Sequence, residues 1–288
     1  QARSMGNAAT KAREAHAQAK SKPKNSRGVQ QQKLRTARAT GVLALPDSKL
    51  KKLPDELFTL SALRSLDLTG NRLLDLPREL SDLTALKTLK AASNAIATLP
   101  DLSALTALTT VRVLCLKLVL DGNALEDLPN ALPPNLTKLS LKGNRLRTVP
   151  HSIVALTQLR ELDLSENALE SLPANLGELQ ELQELNVDAN ALRELPAALA
   201  HCGKLKVLSA RRNTLVGRSA GGSEQPIAAE LLGDGSTVQV LNLEGNPMTK
   251  EDLQTMEGFD AFLTRRTQLK NKEIHGGLNS DLSLCGLD

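Results

Sequence analysis

Residues 159–173 are LRELDLSENALESLP, in which leucines at positions 159, 162, 164, 169 and 172 keep a fixed spacing around Asn167. The same frame returns along the middle of the chain, and four of the seven gaps between its asparagines are 23 residues. A period of this length predicts short structural units stacked side by side. The asparagines in this frame are Asn71, Asn94, Asn123, Asn144, Asn167, Asn190, Asn213 and Asn246.

One unit of this kind cannot bury its leucines alone, so neighbouring units must stack and share a continuous core, each contributing one parallel strand. The chain turns inside the stack at the asparagine, whose amide can pair backbone N–H and C=O groups that burial would leave without partners. We therefore interpret the asparagines as structural and not as ligand-binding. The frame extends upstream to Ser48, 23 residues before Asn71, which predicts nine units with an atypical first one.

The frame resembles the leucine-rich repeat. It predicts an α/β fold, a solenoid of about nine repeats with a curved parallel sheet on its concave side. After Asn246 the apolar residues Leu253, Met256, Phe259 and Phe262 recur at helical spacing, which predicts a helical C-terminal cap over the last strand edge. The predicted domains are a basic, largely disordered tail with a short capping helix at 1–40, the repeats at 41–250, the capping helix at 251–272 and a flexible tail at 273–288.

Composition fits a solenoid core, because three Phe, no Tyr and no Trp leave aliphatic residues to fill it. The three cysteines, Cys115, Cys202 and Cys285, are odd in number and far apart, which favours a reducing intracellular compartment. Cys202 occupies an apolar slot of the repeat and is predicted to be a small core residue. We expect neither a transmembrane helix nor a secretory signal. The predicted location is cytoplasmic, either at a membrane or within a large cytoskeletal or ciliary assembly.

Two units depart strongly from the 23-residue period. Between Asn94 and Asn123 the gap is 29 residues; Leu108, Val111 and Val113 fit one strand frame, and residues 114–120 look added. The added residues fit either a bulged strand or a short in-frame insertion.

The gap between Asn213 and Asn246 is 33 residues and rich in glycine. It predicts a flexible loop with one or two helical turns, extruded from the stack.

The 23-residue unit with its Leu-Pro step resembles the intracellular Ras-suppressor and plant Ras-group class of leucine-rich repeats. Three flanking segments are similar to the leucine-rich repeat-containing protein 57 family: Met5-Gly-Asn7, Thr40-Gly-Val42, and Glu244-Gly-Asn246 with Glu257–Asp260. This resemblance covers about residues 5–272 and implies an intracellular repeat protein. The basic stretch at 18–38, the added residues and the segment after 272 depart from that family.

The amino-terminal segment is strongly basic, with ten Lys or Arg against Glu14 alone in residues 1–40. Met5–Lys11 fits the N-myristoylation frame, and translation from Met5 would make Gly6 the acceptor. One myristoyl chain binds membranes weakly, and the basic residues would supply the second signal on an anionic leaflet. Alternatively, the segment would lie on RNA or on an acidic partner.

We predict no enzymatic activity, cofactor, metal site or small-molecule substrate, because no nucleophile motif, phosphate loop or metal-ligand spacing occurs. The function is then expected on the concave face, where charged side chains form bands that would steer a protein partner of opposite charge. An alternative function is that of a structural subunit in a ciliary or ribonucleoprotein assembly, anchored by the basic tail. The predicted partner-binding residues are Lys90, Lys117, Lys138, Lys142, Arg145, Glu161, Asp163, Glu166, Glu184, Asp188, Arg211 and Arg212.

Overall fold

A computed structural model describes residues 27–105, 116–221, 225–276 and 285–287. Nine short parallel strands form one sheet, and their order in space follows their order in the chain, so the predicted stack of nine units is confirmed. The strands are β1 (Val42–Ala44), β2 (Ser65–Asp67), β3 (Thr88–Lys90), β4 (Leu116–Val119), β5 (Leu136–Ser140), β6 (Glu161–Asp163), β7 (Glu184–Asn186), β8 (Val207–Ser209) and β9 (Val240–Asn242). The α-helices are α1 (Arg27–Thr40), α2 (His151–Val154), α3 (Ala229–Leu232), α4 (Lys250–Thr255) and α5 (Phe259–Gly276).

Short helical turns that follow a proline form the outer side of the stack. Pro54, Pro77, Pro173 and Pro196 each hold extended backbone with φ between −70° and −76°. Because the proline ring fixes φ near this value, the Leu-Pro step sets where each outer turn begins. The 3-10 helices that follow these prolines are Asp55–Thr59, Arg78–Asp82, Ala174–Glu178 and Ala197–His201.

Leucines from successive units stack in columns to form the core. Leu89, Leu118 and Leu139 pair in register across β3, β4 and β5, and each is at most 3% exposed. Cys202 fills a leucine slot, and burial raises the pKa of its thiol to about 11. The prediction that Cys202 is a small core residue is therefore confirmed.

The chain turns after each strand through one residue with left-handed backbone. This residue precedes Ser48 or the asparagine of each unit, and its φ lies between 50° and 75° at all nine turns. Glycine occupies four of these positions, but Ser93, Glu166 and Ala189 are among those that do not have glycine. A residue with a Cβ is strained in this conformation by roughly 1–2 kcal/mol, so other interactions in the turn must offset the strain.

The asparagine amides supply those interactions and join one unit to the next. Asn167 Nδ2 donates to the carbonyl oxygens of Leu164, in its own unit, and Leu141, in the unit before, both at 3.0 Å. Its Oδ1 accepts the Leu146 N–H at 3.0 Å. The same pattern of bonds to the preceding unit recurs at every asparagine of the frame. The structural role predicted for these residues is therefore confirmed.

The strand of the fourth unit lies within the residues that the sequence pattern identified as added. β4 pairs with both β3 and β5, and its register against β5 shifts between Leu116 and Lys117. A β-bulge produces such a shift, so the structure supports the bulged-strand interpretation. The strand frame expected at Leu108, Val111 and Val113 lies outside the described residues.

The long unit between Asn213 and Asn246 contains the predicted helical turn, α3, but the prediction of an extruded loop is wrong. Ile227, Leu231 and Leu232 are buried in the core, and the Leu195 N–H donates to the Pro226 carbonyl oxygen at 2.8 Å. Removing three large aliphatic side chains from water stabilises the packed arrangement over an extruded one.

The C-terminal cap consists of two helices, α4 and α5, where a single helix at 251–272 was expected. The break falls at Gly258, whose φ is 86° and whose added Cβ would lie 2.8 Å from the Ala229 carbonyl oxygen. Glycine therefore permits the close approach of the cap to α3. No helix in the described ranges is long and apolar enough to cross a membrane.

The expectation of a flexible tail at 273–288 is wrong for the parts that the structure describes. Helix α5 continues to Gly276. Cys285 is buried, and its carbonyl oxygen accepts the Leu243 N–H at 2.8 Å. This bond falls just after β9 on the open edge of the sheet, where the cap helix was expected to cover the strand.

Asp252 links the cap to the long unit between Asn213 and Asn246 by hydrogen bonds. Its carboxylate accepts the Ser219 N–H and hydroxyl at 2.9 and 2.6 Å, and the Thr249 N–H and hydroxyl at 2.9 and 3.0 Å. An added Cβ at Gly217 would lie only 2.2 Å from this carboxylate. Burial raises the pKa of Asp252, but the four hydrogen bonds outweigh burial and lower the pKa to about 2.

The first prediction concerns the asparagine ladder. In Asn144→Ala, the carbonyl oxygens of Leu120 and Leu141 and the Leu125 N–H lose their side-chain partner. Each unsatisfied buried group costs about 1–3 kcal/mol, so we expect a loss of roughly 3 kcal/mol or more in the free energy of unfolding, measured by urea titration. The control Asn130→Ala removes an exposed asparagine and should change stability by less than about 0.5 kcal/mol. Equal effects of the two substitutions would contradict the structural role.

The second prediction concerns pH. Because the folded-state pKa of Asp252 is lowered from 3.8 to about 2, its carboxylate stabilises the fold above about pH 4, and this contribution is lost as the pH falls towards 2. Asp252→Asn should therefore be less stable than the unmodified chain by on the order of 1–2 kcal/mol near neutral pH. Urea titrations from pH 6 to pH 2 should show the difference shrinking below pH 4. A difference that does not depend on pH would contradict this assignment.

Candidate protein-binding face

The concave face carries the two residues that flank the central buried leucine of each strand, as Glu161 and Asp163 flank Leu162, together with the residue two positions after the strand. Successive strands align these positions in rows: Lys138 lies beside Glu161 and then Glu184, and Ser140 lies beside Asp163. The parallel register therefore decides which charges become neighbours.

Ion pairs between adjacent units neutralise two lysines of the basic band. Lys138 on β5 forms a salt bridge with Glu161 on β6, and the hydrogen bond to Glu161 raises the pKa of Lys138. Lys142 Nζ lies 3.1 Å from Glu166 Oε1, and this hydrogen bond raises the pKa of Lys142. Two lysines of the predicted basic band are thus paired with two glutamates of the acidic band, in half-exposed pairs that each contribute little stability.

Four carboxylates at the centre of the face form no salt bridge within the described part of the chain. Asp121, Asp163, Glu184 and Asp188 lie on or just after β4, β6 and β7; we call them the acidic centre. Burial raises the pKa of Asp121, while the Ser140 hydroxyl and the Lys142 N–H donate to its carboxylate and oppose that rise.

Backbone hydrogen bonds fix the positions of two further members of the acidic centre. Asp163 Oδ1 accepts the Ser165 N–H at 2.9 Å and the Ser165 hydroxyl at 2.6 Å. Asp188 Oδ1 accepts the Arg211 N–H at 2.7 Å. Asp163 Oδ2 also accepts from Asn186 Nδ2 at 3.4 Å. A partner would therefore meet charges that are already positioned.

The acidic centre borders a concavity of about 420 Å³ over β4 to β8. Asp121, Asp163 and Glu184 line it, together with the Lys138–Glu161 pair. Polar groups without charge complete its wall, namely Ser140, Asn186 and Ser209. Its charged lining therefore carries one basic and four acidic side chains.

The remaining predicted residues lie around this centre. Lys90 and Lys117 are exposed on β3 and β4. Arg211 Nη1 lies 3.8 Å from Glu244 Oε2. Arg212 occupies a left-handed turn position, as does Glu166.

Arg145 does not lie with the others. It follows the asparagine of its unit and lines a separate hollow with Glu126, Asp127 and Leu128. Its assignment to the concave face is wrong, because the chain has already turned away from the sheet at Asn144.

Sequence reasoning missed Asp121, a partly buried acid of the centre. Its unit has the irregular 29-residue gap, so its frame was misplaced. Counting back from the asparagine would have found it, since Asp121, Lys142 and Asp188 each lie two residues before the asparagine of their unit. In the described residues, no group of three or more His, Cys, Asp or Glu side chains is arranged to hold a metal ion.

Comparison with known protein families identifies the repeat. The family model described as Leucine rich repeat matches residues 41–96, 116–169 and 134–192, which include β1 to β7. The chain is a leucine-rich repeat solenoid. No curated protein matches the chain.

Two solved structures show the same leucine-rich repeat architecture. One is the leucine-rich repeat ectodomain of the plant membrane receptor kinase GASSHO1/SCHENGEN3 from Arabidopsis thaliana, in complex with CASPARIAN STRIP INTEGRITY FACTOR 2; it is 26% identical with a TM-score of 0.52 and covers 72% of this chain. The other is a TDR receptor, 26% identical with a TM-score of 0.56 over 74% of this chain. This chain spans 25% and 37% of those two chains.

Proposed function

We propose that this leucine-rich repeat protein is a non-enzymatic scaffold that binds a basic segment of a protein partner on its concave face. The acidic centre carries the proposal, because its four carboxylates have no ion-pair partner among the described residues while the basic residues Lys138 and Lys142 beside it are paired. The fold supports it as well, since one of the similar repeat structures is a complex with a second named factor.

Electrostatics sets the kind of interface that we propose. The lining contains no aromatic side chain, and aromatic residues are the usual anchors of tight interfaces. Charge complementarity raises association rates and specificity more than affinity. We therefore expect a modest affinity that decreases with added salt, because screening shortens the range of exposed charges to about 8 Å at physiological ionic strength.

The third prediction tests this face with substitutions that remove charge and keep shape. In the triple variant Asp163→Asn, Glu184→Gln, Asp188→Asn, the side-chain oxygens can still accept the hydrogen bonds of Ser165 and Arg211. Its capture of partner proteins, quantified by mass spectrometry after pull-down, should fall about tenfold or more relative to the unmodified chain, which corresponds to about 1.4 kcal/mol or more.

A matched control removes three exposed carboxylates outside the concave face: Glu170→Gln, Glu178→Gln and Glu194→Gln. This control set should leave capture unchanged. Equal capture by both triple variants would contradict the assignment of the binding face. A loss of capture in both would show that only the net charge matters.

The class and location of this repeat protein are also proposals. The 23-residue unit with its Leu-Pro step supports the Ras-suppressor class and the leucine-rich repeat-containing protein 57 family. Cys202 is a free thiol in the described residues, which supports an intracellular location. An ordered tail would favour the alternative of a structural subunit, and residues 1–26 lie outside the described residues.

The fourth prediction concerns a membrane tether at Gly6, which also lies outside the described residues. We propose that the native chain begins at Gly6 and carries an amide-linked myristoyl group. Mass spectrometry of the amino-terminal peptide from native protein should show a mass increase of about 210 Da, that of one C14 acyl chain. Gly6→Ala should abolish this increase. A native chain that keeps residues 1–5, or an unmodified Gly6, would exclude the tether.

A further inference from the structure

The concave face of the nine-stranded sheet has no covering element in the described residues, and a segment of this chain has the opposite charge. Residues 1–26 carry six basic side chains against Glu14 alone. Five of the six lie between Lys11 and Lys24. The four acidic-centre carboxylates, which form no ion pair with another described residue, lie on this open side of the sheet.

Helix α1 fixes where that segment enters the repeat domain. The Gly41 N–H donates to the Ala37 carbonyl oxygen, and Lys33 Nζ donates to the Ala44 carbonyl oxygen at 2.9 Å. Thr40 therefore lies at the start of β1 and Lys33 beside its end, so α1 runs antiparallel to β1. At 1.5 Å per residue, Arg27 lies about 9 Å beyond Lys33, past the carboxyl end of the strand.

The acidic centre lies towards the same edge of the sheet. Asp121 and Asp188 each follow the carboxyl end of their strand by two residues. Neighbouring strands are about 4.8 Å apart, so β4 and β7 lie roughly 14 and 29 Å from β1. An extended chain spans about 3.3 Å per residue, which places Lys24 within about 10 Å of Arg27 and Lys11 within about 53 Å. The strands of the acidic centre therefore lie farther from β1 than Lys24 can extend from Arg27, but well within the distance that Lys11 can extend.

We propose that residues 11–24 bind in cis to the acidic centre and compete there with the basic segment of a partner. This inference rests on the proposed function, because both ligands use the same carboxylates. A tethered segment of this length has an effective concentration on the order of 1 mM. Binding of this kind holds the face closed to weak ligands and leaves it open to partners with higher affinity.

Zero-length carbodiimide coupling tests the location, because it joins a lysine amine directly to a carboxylate. On the full chain, separated into monomer and dimer before mass spectrometry, Lys11 and Lys20 should couple to Asp163, Glu184 and Asp188. Lys22 and Lys24 lie too few residues from Arg27 to reach β6 and β7. We expect at least fivefold more coupling there than to the control set Glu170, Glu178 and Glu194, and loss of the preference in about 0.5 M salt, where the Debye length is short.

Three results would overturn the proposal. Equal coupling to both sets would mean that the segment has no preferred position. A preference found only in the dimer would assign the contact to a second copy. Binding to phosphatidylserine vesicles without any coupling preference would assign the segment to a membrane surface.

A synthetic peptide of residues 9–26 tests the competition. Its affinity should be about tenfold higher for the variant Lys20→Gln, Lys22→Gln, Lys24→Gln than for the unmodified chain, because the tethered competitor is weakened. The control Lys51→Gln, Lys52→Gln, Arg193→Gln changes three exposed basic residues elsewhere and should bind the peptide as the unmodified chain does. Equal affinity in all three proteins would contradict binding in cis.

The two proposals fail in different ways. If coupling shows no preference but partner capture still depends on Asp163, Glu184 and Asp188, the proposed function holds and the inference in cis is wrong. If the coupling preference is present but partner capture does not change when these residues are substituted, the segment occupies the face and the proposed function is wrong.

Discussion

The inner turns of this solenoid depend on one polar interaction, the pairing of backbone groups by an asparagine amide. A left-handed residue precedes each asparagine, and five of the nine turns use a residue other than glycine there. Asn167 Nδ2 and Oδ1 satisfy backbone groups in two units at once, so the turn that strains one residue also joins its unit to the preceding one. Leucine packing fills the stack, but the amides fix the distance and register between units.

Register in turn determines the chemistry of the concave face. With the strands in parallel register, a lysine on β5 meets a glutamate on β6, and their ion pair removes both charges from the surface that a partner would meet. Of the carboxylates that remain, Asp163 lies beside Asn186. Asp121 and Asp188 accept the backbone N–H of Lys142 and Arg211, whose side chains pair with Glu166 and Glu244 instead. The register of the strands thus determines which charges are available for binding.

Much of the fold could be predicted because each asparagine and leucine sits at a fixed place in the repeat. The structure was predicted wrongly where the spacing between asparagines departs strongly from 23 residues. The strand Leu116–Val119 was misjudged because the 29-residue gap obscures its place in the repeat. Ile227 was assigned to a loop because its glycine-rich surroundings outweighed its own apolar character. The site was predicted less well, since pairing between Lys138 and Glu161 depends on register across units, and Asp121 followed the misplaced strand.

Native-state hydrogen exchange measures the asparagine ladder most directly. The amides of Leu125, Leu146 and Leu169 each donate to the Oδ1 atom of the asparagine in the following unit. If the side chains hold the stack, these amides should exchange as slowly as strand amides such as that of Leu164, within about tenfold, because both open only with the stack. Exchange at the rate of unprotected surface amides, with the strands still protected, would contradict the account.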